Sequence, residues 1–359
     1  MHAAHLPPRR ALSGLLLSSV LALAGCAGSD TATTLPESAT AQLAVLETTD
    51  LHANLLGYDY FKLAEDKSVG FERTATLIRQ ARAEFANTLL IDNGDTIQGT
   101  ALADYQALVA PVACTEKLAA YKAMDAIGYD AGTLGNHEFN YGLPYLAQVT
   151  GTRFNVDGMP ELAAQAKCKG PDFPLALANV TSRKDGKTLY PPYLMLDKKI
   201  TGTDKDGRPF ESVVKVAVIG FTPPGILAWD KRWLDGKVDV QGVVESAARY
   251  VPLARAAGAD LVIAASHGGF DSSAYSPAME NANYHLAKVA GIDAILMGRD
   301  TYEIMRGFGE WPYGDKATIV MTHRPLVDAP PAVETRSGDL AVVAAELEAR
   351  GYRRIWVEG

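Results

Sequence analysis

From about residue 41 the chain alternates short β-branched apolar runs with longer stretches of helical period, and several of the apolar runs end on acids, amides or imidazoles. No other feature constrains the fold as much, because this alternation favours a layered α/β sandwich over an all-β or all-α architecture. The pattern predicts strands at Leu43–Thr48, Thr88–Ile91, Tyr129–Thr133, Leu175–Ala178, Val213–Ile219, Leu261–Ala265 and Ala294–Met297. Helices are predicted near Phe71–Phe85, Glu116–Ile127, Val240–Ala257 and Asn283–Ala290. Asp204-Lys205-Asp206-Gly207 lies between two strand-like runs and predicts a hairpin there.

The polar groups fall just after strands. Asp50 with His52, Asp92 with Asp95, Asn136 with His137, and His267 each follow a predicted strand. In open α/β sheets the loops at the carboxyl ends of strands converge on one crevice, so four separate loops can deliver ligands to one place. In an extended segment Asp50 and His52, two residues apart, leave the same side of the chain and can reach one ion. The triplet alone equally describes a solvated turn. Asp92-Asn93-Gly94-Asp95 contains a glycine that permits a tight turn aiming Asp95 at the crevice, or a plain turn. Gly135-Asn136-His137-Glu138 joins an amide oxygen suited to a metal with an acid/base imidazole.

Charge narrows the function. With 34 Lys and Arg against 42 Asp and Glu the net charge is −8, and no basic cluster interrupts it, which argues against binding a nucleic-acid duplex through its phosphates. A phosphate-bearing substrate therefore needs a local cation. Residues 1–25 carry Arg9 and Arg10, no acid, and the apolar run Leu15–Ala24, too short to span a bilayer. They read as a signal peptide. Leu23-Ala24-Gly25-Cys26 resembles a bacterial lipoprotein cleavage box, which implies an exported, periplasmic or cell-envelope protein lipid-anchored at Cys26; an ordinary secretory signal is the alternative. Residues 26–40, rich in Ser, Thr and Ala, read as a flexible tether. An oxidising compartment allows a disulfide between Cys114 and Cys168, whose pairing the sequence leaves open.

The strings Thr49-Asp50-Leu51-His52-Ala53-Asn54, Asp92-Asn93-Gly94-Asp95, Gly135-Asn136-His137-Glu138-Phe139-Asn140-Tyr141-Gly142 and Ser266-His267-Gly268 resemble the calcineurin-like metallophosphoesterase superfamily. Within it, residues 41–298 are most similar to the branch of the 5′-nucleotidase family that cleaves 2′,3′-cyclic nucleotides and 3′-nucleotides, a likeness that extends to Trp229-Asp230-Lys231 and Tyr250-Val251-Pro252. The resemblance implies an α-β-β-α sandwich and two divalent ions, zinc, manganese or similar. It implies that Asp50 and His52 hold one ion, Asn136 and His267 the other, and that Asp95 bridges them. By the same likeness His137 stabilises charge at phosphorus or protonates the leaving ribose oxygen. Asp92 and Glu138 are the outer partners that support these ligands. Related 5′-nucleotidases carry at the position of Asn140 an Asp that orients this His, so here the orienting carboxylate is either missing or supplied from elsewhere.

The likeness breaks after Met297. It implies a Gly-His-x-His loop, and the chain reads Gly298-Arg299-Asp300-Thr301, which costs each ion an imidazole and predicts impaired activity. Residues 299–359 instead resemble part of a dihydrofolate-reductase-like fold of the riboflavin-biosynthesis branch, in which Gly298, Arg299 and Thr301 would face NADPH phosphates. The strand-like run Ala317–Val320, the helix-like run Asp339–Arg350 and the strand-like run Arg354–Val357 predict a strand-helix-strand appendage continuing the sheet after Ala294–Met297. Two other readings stay open: an NADPH-dependent reductase acting through this segment, and a non-catalytic nucleotide-binding lipoprotein.

Overall fold

The Thr88–Asp92 strand is apolar on both faces, and the fold buries both. Leu89 and Ile91 point one way and Leu90 the other, as a two-residue repeat requires. A computed structural model describes residues 39–296 and the two strands Thr318–Met321 and Val333–Arg336. In it Thr88–Asp92 is the centre of a three-stranded parallel sheet, flanked by Ala44–Thr48 and Ala131–Gly132. A four-stranded sheet runs in the order Ala294–Leu296, Leu261–Ser266, Pro209–Phe221, Tyr193–Thr203. Its first three strands are parallel, and the last closes an antiparallel hairpin around Asp204–Gly207.

The two sheets meet face to face. Leu89, Ile91 and Ala131 of the first pack with Val216, Val218, Ile263 and Ala265 of the second in one dry layer. Leu90, on the outer face of the first sheet, joins Ile78 of the Phe71–Glu84 helix, Met124 of the Ala119–Ile127 helix and Leu146 of the Leu143–Thr150 helix. On the outer face of the second sheet, Ala217, Ile219, Val262 and Ala264 meet Ala247, Val251 and Ala254 of the Val243–Ala256 helix. This is the α-β-β-α order. Each fully buried Leu or Ile contributes about 1.5–3 kcal/mol, so these strands, apolar on both faces, weld the layers.

Several elements differ from their expected form. Leu175–Ala178 forms no strand; Leu175 makes a single bridge to Gly132. Its backbone is divided between partners: Ala176 N–H donates to Gly132 O and Ala178 N–H to Gly220 O, so it straps one sheet to the other. The strand expected over Tyr129–Thr133 shrinks to Ala131–Gly132, because the Tyr129 hydroxyl bonds Thr48 and the Thr133 hydroxyl donates to Ala176 O. Asn283–Leu286 is a single helical turn rather than a helix to Ala290. A helix at Leu143–Thr150 and an 11-residue strand at Tyr193–Thr203 add to the predicted elements. Cys114 and Cys168 are joined by a disulfide.

Past Leu296, Thr318–Met321 pairs in parallel with Val333–Arg336 in a sheet of their own, rather than with Ala294–Leu296 as the predicted appendage requires. The partner strand Val333–Arg336 is a further element that the sequence pattern does not predict. Cys26 and the leader, Gly298, Arg299 and Thr301, and the runs Asp339–Arg350 and Arg354–Val357 lie outside the described residues.

Candidate metal centre

Four loops leave the carboxyl ends of four parallel strands and are stitched by backbone hydrogen bonds. Asp50, His52 and Ala53 N–H donate to Gly94, Asp95 and Thr96 carbonyls at 3.0, 2.8 and 2.9 Å. Asn93 N–H donates to Thr48 O, Thr133 N–H to Asp92 O, and His267 N–H to Phe221 O. The first loop is therefore not extended. Asp50, His52, Ala53 and Asp95 all have positive φ, between 48° and 59°. Non-glycine residues in this region cost about 1–3 kcal/mol each, and such strain gathers at functional sites. The two-residue alternation expected of Asp50 and His52 thus gives way to a left-handed turn that presents both to the same place. Glycine is required at two contacts. A Cβ on Gly94 would lie 2.1 Å from Gly135 N, and one on Gly135 would lie 2.1 Å from Asp95 Oδ1.

Asp95, 2% exposed, is the hub. Its Oδ2 lies 3.1 Å from His267 Nε2 and 3.9 Å from His137 Nε2, and its Oδ1 accepts from His137 N–H at 2.8 Å. Asp50 Oδ1 is 3.6 Å from His52 Nε2. Two triads result, His52–Asp95–His137 and Asp50–Asp95–His267, with the ligand atoms of each all within 4.8 Å. These triads cut across the pairing that the resemblance implies, yet both contain Asp95. Asn136 stands between Gly135 and His137, half-buried at the head of the His137–Phe139 turn.

The three imidazoles share one orientation. His52 Nδ1 is 2.7 Å from Gln98 O, and His267 Nδ1 is 2.8 Å from Asn93 O. A carbonyl only accepts, so each Nδ1 donates and each neutral ring turns its Nε2 lone pair to the cluster. His137 Nδ1 meets a side chain instead, Asn140 Oδ1 at 2.6 Å. Protonation follows the charges. Burial opposes ionisation of Asp50, but the His52 ring beside it and a hydrogen bond from the Thr49 hydroxyl hold its carboxyl down at about 2. The Asp50 contact raises His52 above its usual value. Burial disfavours the His267 cation, and Asp95 overcomes it, lifting His267 to about 9.

Two buried acids hold the loops beneath. Glu138, 2% exposed, accepts from the N–H groups of Asp95, Thr96, Ile97 and Gly135, clasping two loops at once. Burial, and then the neighbouring Asp95 charge, raise its carboxyl. Asp92 accepts from the Thr48 and Thr96 hydroxyls and from Gly94 N–H. Burial drives its carboxyl up to about 7 against those bonds. Asp230 is a partner that the sequence does not single out: both its carboxylate oxygens face Asn140 Nδ2, at 3.0 and 3.2 Å. It lies 90 residues from Asn140, and its only signal is membership of the string Trp229-Asp230-Lys231.

The donor chemistry fits divalent cations. Neutral imidazole nitrogens and carboxylate oxygens suit zinc and manganese, and among the described residues Asp50 and Asp95 form ion pairs with imidazoles and with no Lys or Arg.

Comparison with known proteins agrees with this architecture. The family model described as calcineurin-like phosphoesterase matches residues 43–298. The chain is 40% identical over 290 residues to the 2′,3′-cyclic-nucleotide 2′-phosphodiesterase/3′-nucleotidase of Yersinia enterocolitica, covering 81% of this chain and 40% of that protein. It is 44% identical over 268 residues to the trifunctional nucleotide phosphoesterase protein YfkN of Bacillus subtilis, covering 73% of this chain and 17% of that one. The solved structure of calcineurin-like phosphoesterase YfkN from Bacillus subtilis superposes with a TM-score of 0.63 at 42% identity, covering 72% of each chain. The chain thus spans less than half the length of these curated relatives.

Proposed function

The chain belongs to the calcineurin-like phosphoesterase family, and from that premise we propose that it hydrolyses nucleotide phosphoesters, specifically 2′,3′-cyclic nucleotides and 3′-nucleotides, at paired divalent cations. The observation that carries this reading is the convergence of Asp50, His52 and His267 on one buried carboxylate, Asp95. Asp50 and His52 would hold one cation, Asn136 and His267 the other, with Asp95 common to both. Such a pair supplies Lewis acidity toward phosphoryl oxygens and acidifies water.

The protein's own groups do the rest. Glu138 and Asp92 keep the Asp95 loop in its left-handed turn, so the bridging carboxylate is preorganised. His52 and His267 present Nε2 because backbone carbonyls take their other nitrogen. His137, the most exposed of the three imidazoles, keeps Nδ1–H on Asn140; with Nε2 protonated as well, it would give that Nε2 proton to the leaving ribose oxygen and return to the neutral Nδ1–H ring. The substrate class is supported by the names of the relatives, which are nucleotidases and nucleotide phosphodiesterases. Turnover is slow in this reading, because Arg299 and Thr301 stand where the resemblance implies two further imidazoles. Export and lipid anchoring at Cys26 rest on the apolar run Leu15–Ala24 and the Cys that follows it.

Purified protein loaded with manganese is to be assayed on bis-p-nitrophenyl phosphate and 2′,3′-cyclic AMP beside Asp95→Ala. Turnover above that variant is expected; turnover no greater than that variant's removes the hydrolase assignment.

A further inference from the structure

Two of the imidazoles are oriented by backbone carbonyls, which cannot turn over. His137 is oriented by an amide, which can. A 180° flip of Asn140 is nearly isosteric and would offer NH₂ instead of oxygen to His137 Nδ1, so that the neutral ring would have to move its proton to Nε2. Something must set the amide's direction, and one side chain stands in position to do so. Asp230, 4% exposed, aims both carboxylate oxygens at Asn140 Nδ2, at 3.0 and 3.2 Å, and an ionised carboxylate accepts but never donates. With NH₂ held there, Asn140 Oδ1 faces His137 Nδ1 at 2.6 Å.

We propose that Asp230 is a positioning residue that fixes the tautomer of His137 through the side-chain amide of Asn140. The same short turn grips Asn140 twice. Trp233 N–H donates to Asp230 O at 2.8 Å, and the Trp233 indole Nε1–H donates to the Asn140 backbone carbonyl at 2.9 Å. The Lys231–Leu234 turn therefore holds both the backbone and the side chain of the residue that addresses the imidazole. A carboxylate one hydrogen bond removed does here what a directly bonded carboxylate does for other catalytic imidazoles. The inference rests on the phosphoesterase reading for its catalytic consequence, while the tautomer itself does not depend on activity.

The test uses Asp230→Asn and the exchanged pair Asn140→Asp with Asp230→Asn. In the single variant the two facing amides no longer fix a direction, and with 2′,3′-cyclic AMP and manganese kcat falls about 10- to 100-fold while KM changes less than about twofold. In the exchanged pair the carboxylate introduced at position 140 accepts from His137, and the amide introduced at position 230 donates to that carboxylate, so kcat returns to within about threefold of the parent. A residue that only supports the fold gives no such rescue. Ring-nitrogen NMR reads the tautomer of the neutral ring directly. The parent and the exchanged pair should show His137 protonated at Nδ1, and the single variant a mixture. Should Asp230→Asn not fold, the parent decides: a His137 carrying its proton at Nε2 there overturns the proposal. An unchanged tautomer in Asp230→Asn, or loss of kcat without rescue, also overturns it. If the parent turns over no phosphoester, the function proposed above fails while the NMR result still decides this inference.

Discussion

His52 and His267 approach the same carboxylate from different sheets, and they are held by different means. His52 sits on a loop of the three-stranded sheet, locked by three backbone bonds to the Asp95 loop of that same sheet. His267 follows Leu261–Ser266 of the four-stranded sheet and crosses the seam: its Nδ1–H bonds Asn93 O, while Asn93 Nδ2–H donates to Ser266 O at 3.1 Å. One half of the site is therefore a property of a single sheet, and the other half depends on how two sheets are joined. Asp95 belongs to both halves.

The comparison predicts a graded series. Asp95→Ala removes the carboxylate common to both triads, so if that carboxylate serves both cations bound manganese should approach zero and phosphodiesterase turnover should fall at least about a hundredfold; metal analysis beside the activity assay checks this. Loss of only one cation would mean that Asp95 serves one half alone.

Protonation gives the next effect. In metal-free protein His267 is raised from 6.5 to about 9 by Asp95, so its pairing stabilises the fold fully below pH 6.5 and is lost as pH rises through about 9. The shift corresponds to about 3 kcal/mol as an upper figure. Denaturant unfolding of the protein in chelator, compared with His267→Gln, should show that decline only in the parent. Cation binding has the opposite dependence, since the ion needs the Nε2 that the proton occupies. Manganese affinity should therefore weaken as pH falls below about 9.

Asn93→Ala tests the seam. It deletes the bond to Ser266 O in a buried setting, at a cost of about 1–3 kcal/mol. Calorimetric titration with manganese should find one binding step weakened about tenfold and the other unchanged. Equal weakening of both steps would show that the halves are not separate. The smallest effect is expected from Arg299→His with Thr301→His, which should raise bound manganese modestly if the resemblance places these positions correctly. No rise in metal analysis would show that this segment does not limit occupancy.

What the sequence displays and what it conceals follow from distance along the chain. Thr88–Asp92 and Leu261–Ser266 are legible because strands buried on both faces are apolar throughout, and the polar clusters are legible because they end such runs. The Asp204–Gly207 hairpin follows from its turn residues. Leu175–Ala178 reads as a strand because its composition matches one, whereas its hydrogen bonds are shared between two sheets and no local pattern records that. Asp92 and Glu138 can be placed near the site by adjacency, but not the four amides that Glu138 gathers. The left-handed backbone of Asp50 and His52 carries no glycine to announce it. Asp230 is hidden because its contact to Asn140 spans the loops of two separate segments.

The most direct test of the shared-carboxylate account is an anomalous-scattering map from crystals of this protein grown with manganese. The account predicts two peaks, one on each side of the Asp95 carboxylate, one reached by His52 and the other by His267. A single peak, or peaks that leave Asp95 without a cation, would contradict it.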